Sequence, residues 1–168
     1  PDINAFKEAL RKNQNYKIDL EMADKTSTKI NDYNLIILHN LPSTTFNASS
    51  ILDQAKSLGI SLWFIVGSQT AVPIFNQYQT ALQIVPRAMS SNEVQAEVNK
   101  DFTYFTINQN DAKELSKLPP LSNIFGDYKI GANAQTLLFQ KIGSMSTQYP
   151  LWCMQATGLA KIGVLAGE

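Results

Sequence analysis

The chain is short of the features that most readily announce a chemistry. It holds a single cysteine, Cys153, in 168 residues, which excludes an internal disulfide and any cysteine-based metal cluster. It holds a single histidine, His39, and no carboxylates at metal-ligand spacing around it, so no metal site is expected. Neither a G-x-G-x-x-G turn nor a phosphate loop occurs, and no cofactor is expected. No apolar run approaches the roughly 20 residues that span a bilayer, which argues against direct membrane insertion by this segment. No basic-then-apolar signal segment begins at Pro1. An excess of either charge is missing as well. Lys plus Arg and Asp plus Glu stand at 14 each, so nothing draws the chain toward a polyanion and no nucleic-acid partner is expected.

What is present is apolar content, 44% of the residues, enough for one domain with its own core and too little length for two ordinary ones. A sequence that opens on Pro1 and stops at Gly167-Glu168, just past an apolar run, reads as one domain, residues 1–168, excised from a longer chain. The organising stretch is Asn34 to Thr70. The runs NLIILHN and SLWFIVGSQT lack period-2 alternation, as central strands covered on both faces do. Between them Ile51, Leu52, Ala55 and Leu58 share one helical face. Ser49 or Ser50 can cap that helix, and Gly59 can take the left-handed residue after its end. The result is a βαβ crossover, hence an α/β fold with a parallel core.

Upstream, Ile3, Phe6 and Leu10 form the apolar stripe of an opening helix capped by Asp2. Doubly wound folds usually begin with a strand, so a strand preceding Pro1 is expected to be missing. Tyr16, Ile18, Leu20 and Met22 alternate with charged residues and predict a half-exposed edge strand, followed by a polar loop from Lys25 to Asn31. Downstream, Pro73 to Leu82 predicts a short helix, LQIVP a strand ended by Pro86, and residues 87–101 a mostly irregular segment. FTYFTIN (102–108) has strong β character, and DAKELSKLPPL holds one helical turn before Pro119-Pro120. From Ala134, three strand-like runs separated by Gly143-Ser144 and Thr157-Gly158 predict an antiparallel meander extending the core.

The elements DYNLIILHNLPS, ISLWFIVGSQT and PLWCMQATGLAKIGVLAGE resemble a glutamine amidotransferase-like domain found in large bacterial membrane-anchored proteins. The resemblance covers nearly the whole chain. It implies a flavodoxin-like three-layer α/β sandwich with parallel core strands and an antiparallel C-terminal extension. It also implies an extracytoplasmic, periplasmic location, with other domains of the parent chain or protein partners as neighbours. Catalytic members of the wider superfamily place a Cys on a sharp strand-to-helix turn in a G-x-C-x-G setting, with a His and an acid later in the chain. The corresponding turn here is Gly67-Ser68-Gln69-Thr70, with Ser68 for Cys and no second Gly, and His39 precedes it. The catalytic triad is not recognisable.

In open α/β sheets ligands bind beyond the carboxyl ends of the strands. His39, Asn40, Gly67, Ser68 and Gln69 all fall at such ends and are the ligand-binding candidates. A hydrolase or amidotransferase using Ser68 or Cys153 as nucleophile with His39 as base is the alternative, although neither Asp53 nor Asp32 has a spacing that recommends it as the third member. Cys153, between Trp152 and Met154, reads as a small buried hydrophobe. Asn47-Ala48-Ser49 matches a glycosylation acceptor, but it falls at a helix start and is discounted. The sequence therefore favours a non-catalytic interaction or scaffold module.

Overall fold

The computed structural model describes residues 2–25, 29–157 and 160–168. Helix α1 (Asp2–Arg11) opens the chain and is followed by β1 (Leu35–His39), α2 (Ser49–Leu58), β2 (Ser61–Ile65), α3 (Val72–Tyr78) and β3 (Leu82–Val98). Then come α4 (Gln109–Leu115), β4 (Leu121–Ile130), β5 (Ala134–Ile142), β6 (Met145–Thr157) and β7 (Ala160–Leu165). Among the described residues, seven strands form one mixed sheet in the order β1-β2-β7-β6-β5-β3-β4. The pairs β1–β2 and β2–β7 are parallel, and all others are antiparallel. The fold is thus α/β with parallel and antiparallel strands in one sheet. Among the described residues, no helix is long and apolar enough to cross a membrane.

The expected βαβ unit is present. Gly59 sits at φ +66° after α2, where its amide reaches back to Ala55 and Lys56 carbonyls, the left-handed ending that glycine adopts without Cβ strain. Leu52 and Ala55 are buried against the sheet, whereas Leu58 is exposed at the helix end. The cap differs from expectation. Ala48 is the N-cap residue, at φ +56°, and Asn47 Oδ1 rather than a serine accepts the Ser49 amide at 3.1 Å. Only β2 is central. Strand β1 lies at the sheet edge with Leu35 exposed, so its apolar run reflects partial rather than complete cover.

The two sheet faces are packed differently. On one, Phe64 of β2 meets Phe75 of α3 edge to face, with ring centroids 5.4 Å apart, and both are fully buried with Leu52, Leu82 and Ile84. On the other, Trp63 of β2 stacks on Trp152 of β6 at 5.2 Å, while Phe6 of α1 contacts Trp63 edge-on. The two tryptophans belong to strands separated by β7. Gly163, paired with Trp63, lets them meet, because a Cβ there would approach Trp63 Cδ1 to 3.3 Å.

The meander β5-β6-β7 forms as expected, with Gly143 at φ +57° in its first turn. Gly158, half of the second turn signal, lies outside the described residues, as does part of the expected loop from Lys25 to Asn31. The meander is not a peripheral extension. Its last strand, β7, returns to pair with β2 and so stands inside the sheet.

The middle of the chain departs from the sequence reading. No strand forms over Tyr16–Met22; Tyr16, Leu20 and Met22 are exposed and no described strand pairs with the segment. Pro86 does not end its strand, which continues to Val98 through the segment expected to be irregular. Successive residues of a strand present their N–H groups to opposite sides. Leu82 and Ile84 direct theirs to Gln79 and Asn76 of the α3 region, so Pro86 falls on that same side, where β4 asks for no donor. Beyond Pro86 the register with β4 shifts, and Arg87 in the shifted segment clasps Asp127 with two hydrogen bonds, 2.8 and 2.7 Å. FTYFTIN is not a strand. Phe102 packs on Tyr104 and Phe105, while the Thr103 amide and the Tyr104 hydroxyl bond to Gln135 Oε1 and the Asn133 carbonyl. Its β-prone residues are thus satisfied by side-chain contacts. Strand β4 is an element the sequence reading does not contain.

Candidate functional site

The carboxyl ends of β1, β2 and β7 meet at one place. In the β1–β2 register His39 lies beside Ile65, and in the β2–β7 register Ile65 lies beside Leu165. Three residues past each of the last two come Ser68 and Glu168, so the parallel pairing delivers both to the same end of the sheet.

The loops beyond the strands are tied to one another. The Asn40 amide donates to the Ile65 carbonyl at 2.9 Å, the Ala71 amide to the Pro42 carbonyl at 2.8 Å, and Ser43 bridges Thr70. The turn Gly67–Thr70 is closed by Thr70 N to Gly67 O and by Gly67 N to Thr70 Oγ1, each 3.1 Å. Asn40 adopts a left-handed φ of +56°, which asparagine tolerates better than most residues, and its Oδ1 accepts the Gln69 amide at 3.1 Å.

Glu168 occupies the centre of this arrangement. Its Oε1 accepts from the Ser68 amide at 2.8 Å and from Ser68 Oγ at 3.0 Å. Its Oε2 accepts from Asn40 Nδ2 and lies 3.4 Å from His39 Nε2. The side chains of His39 and Glu168 are 31% and 26% exposed, so the group is partly shielded from solvent. Gly67 is buried beneath it, and a Cβ on that residue would collide with the carboxyl group. Partial burial works to raise the Glu168 carboxyl, but the Ser68 amide, the Asn40 amide, the Ser68 hydroxyl and His39 outweigh it and hold the group below its ordinary value. The backbone of Glu168 is fixed independently, by amide–carbonyl bonds of 2.9 and 3.0 Å to Ser122 at the start of β4.

The structure therefore gathers His39, Asn40, Gly67, Ser68 and Gln69 into one locus and adds Glu168, which sequence reasoning did not select. Its signal was the register: recognition that β7 runs parallel to β2 places Glu168 beside Ser68. The order of groups is not that of a Ser-His-acid triad, in which the imidazole lies between hydroxyl and carboxylate. Here the carboxylate lies between. A carboxylate held below its usual value is a weak base toward a serine hydroxyl, and the Ser68 amide and hydroxyl are both engaged by it.

Cys153 is elsewhere. It lies on β6, paired with Val164 of β7, and β6 stands three strand positions from β1, roughly 14 Å at about 4.8 Å per strand. The thiol is fully buried, faces the Ala81 carbonyl at 3.8 Å, and is pushed up to about 12 by burial. Among the described residues, the acid bonded at this locus is Glu168 rather than Asp53 or Asp32. No group of three or more His, Cys, Asp or Glu side chains suited to a metal occurs among the described residues.

No family model matches the sequence, and none of the curated proteins does. Two solved structures resemble the fold. The Cytoplasmic Protein STM1381 from Salmonella typhimurium LT2 aligns with a TM-score of 0.53 at 13% identity, over 82% of this chain and 61% of that one. The Cytoplasmic Protein STM3548 from Salmonella typhimurium aligns with a TM-score of 0.49 at 14% identity, over 90% of this chain and 65% of that one. The chain thus spans less than two thirds of either structure. The first of these is described as a cytoplasmic protein, which contradicts the membrane-associated, periplasmic placement implied by the sequence resemblance. That placement is withdrawn.

Proposed function

We propose that this chain is a non-catalytic interaction module of a larger protein, with other domains of the parent chain or separate proteins as its partners. In this reading the framework is amidotransferase-like and related to the flavodoxin-like sandwich, with the reaction lost. Support for the framework comes from the parallel β1-α2-β2 unit, which puts its loops at the sheet end where such folds bind ligands, and from α1 and α3 lying against opposite faces of β2.

One observation carries the loss of reaction. The Ser68 amide and hydroxyl, the groups that an acyl-transfer site would need as oxyanion donor and nucleophile, both point at the Glu168 carboxylate. A substrate carbonyl would have to displace a carboxylate whose backbone is laddered to Ser122. The direct experiment is hydrolysis of p-nitrophenyl acetate and of glutamine by the wild-type protein beside Ser68→Ala and His39→Ala. The reading expects all three to match the buffer rate. A wild-type rate above buffer that falls at least tenfold in both variants would reinstate the hydrolase.

A further inference from the structure

We infer that the strand-end locus is a preformed carboxylate-binding site, filled in cis by Glu168 and open to a carboxylate from outside the chain when that side chain is withdrawn. The inference deepens the non-catalytic reading above and rests on it, because it assigns the Ser68 and Asn40 donors to recognition.

Two features argue that the site is built rather than a by-product of one contact. First, three donors converge in a pattern suited to a carboxylate, with Ser68 N and Oγ on one oxygen and Asn40 Nδ2 on the other, which also lies 3.4 Å from His39 Nε2. Charge-assisted bonds of this kind are the stronger ones. Second, each principal donor is positioned by bonds that do not involve Glu168. Asn40 is oriented by the Gln69 amide on its Oδ1 and by its own amide on Ile65. The Ser68 amide is aimed by the turn that Thr70 closes on Gly67. His39 is the last residue of a paired strand. Removal of the Glu168 side chain therefore leaves the donors in place around a space kept open by the missing Cβ of Gly67. Such preorganisation lets a small ligand bind without a large ordering cost.

The occupant is a monocarboxylate group. It can arrive as a free short-chain acid or as an acidic side chain on a partner protein. In the wild-type protein either must compete with an intramolecular carboxylate at high effective concentration, so a partner needs further contacts while a free acid does not prevail.

The test uses Glu168→Ala, which retains the backbone pairing to Ser122, with acetate as the probe and chloride at equal ionic strength as the control. The Ser68 amide is followed by proton–nitrogen NMR, and the thermal midpoint in parallel. The expected result is a saturable shift with a dissociation constant of about a millimolar, the range open to so small a ligand. Adding Asn40→Ala to that background should weaken it roughly tenfold, by the worth of one charge-assisted bond. Wild-type protein should not respond to acetate. An acidic tripeptide with blocked termini distinguishes the sources: binding tighter than acetate indicates a protein side chain, and weaker binding a free acid. An acetate response in Glu168→Ala no different from chloride, or an equal response in the wild type, overturns the inference. Should the alanine variant lose its fold, Glu168→Ser is titrated in the same way with the same criteria. Failure here leaves the hydrolysis result untouched, and Ser68-dependent turnover would sink the non-catalytic reading whatever acetate does.

Discussion

The side-chain amide of Asn76 pairs with the backbone of Ile84 as a strand would, accepting the Ile84 amide at 3.1 Å and donating to the Ile84 carbonyl at 2.8 Å. Gln79 repeats the arrangement two strand residues earlier, on Leu82 N at 2.9 Å and Leu82 O at 2.6 Å. The three-residue step in the α3 region thus matches a two-residue step along β3. It covers the edge of the first part of β3 that no described strand occupies, satisfying groups that would otherwise template aggregation.

Replacing Asn76 by alanine strands both backbone groups of the fully buried Ile84. A loss of about 1–3 kcal/mol in unfolding free energy is expected from urea titration. Asn76→Asp, which retains the acceptor but sets a carboxylate oxygen against the Ile84 carbonyl, should be at least as destabilising as alanine at neutral pH. Equal stability of all three proteins would show that the edge is satisfied without Asn76.

How far the fold could be read from residues follows from where local signals agreed with tertiary ones. Leu52, Ala55 and Gly59 specify a helix face and its end within ten residues, and α2 appears where they place it. Pro86 misleads because a proline stops a strand only where its missing N–H is wanted, and the side of the strand on which residue 86 falls depends on α3 and β4. The Tyr16–Met22 alternation describes a possible strand without supplying one to pair with. FTYFTIN has β-prone residues whose partners turn out to be Gln135 and Asn133 side-chain and backbone groups. At the site, five candidates were legible from the rule that loops follow parallel strands. Glu168 was not, since its place depends on β7 returning beside β2 across 100 residues from Ser68.

Cys153 should behave as an inert core thiol. Pushed from 9.0 to about 12 by burial, it holds roughly a thousandfold less thiolate at a given pH than an unshifted thiol. A disulfide-exchange reagent at pH 8 is expected to titrate no thiol in the native protein and one in guanidinium. Rapid native labelling would place Cys153 at the surface.

Gly67→Ala tests the packing under the carboxylate. The new methyl meets the end of the flexible Glu168 side chain, which must swing aside and give up its bonds to Ser68 and Asn40, a loss of about 1–3 kcal/mol of stability. Combining it with Glu168→Ala removes the obstacle, so the double variant should lose clearly less than the sum of the two single changes, measured by thermal and urea denaturation. Strict additivity would mean that the two residues do not touch.

Acid stability carries the sign of the Glu168 shift. A carboxyl whose folded value lies below its unfolded value stabilises the fold above the ordinary glutamate range, about 4.3, and that contribution is lost as pH falls through the folded value. The stability difference between wild type and Glu168→Gln should hence be constant near neutrality and shrink progressively below about pH 5. A difference that grows on acidification would reverse the assignment.

The most direct measurement is a carbon-detected NMR titration of the Glu168 side-chain carboxyl in the wild-type protein, in Ser68→Ala and in Asn40→Ala. If the strand ends hold this carboxylate as described, its midpoint lies below that of an ordinary glutamate and rises in both variants. A midpoint at the ordinary glutamate value, unmoved by either substitution, would mean that Glu168 does not close the site, and the non-catalytic reading would lose the observation on which it stands.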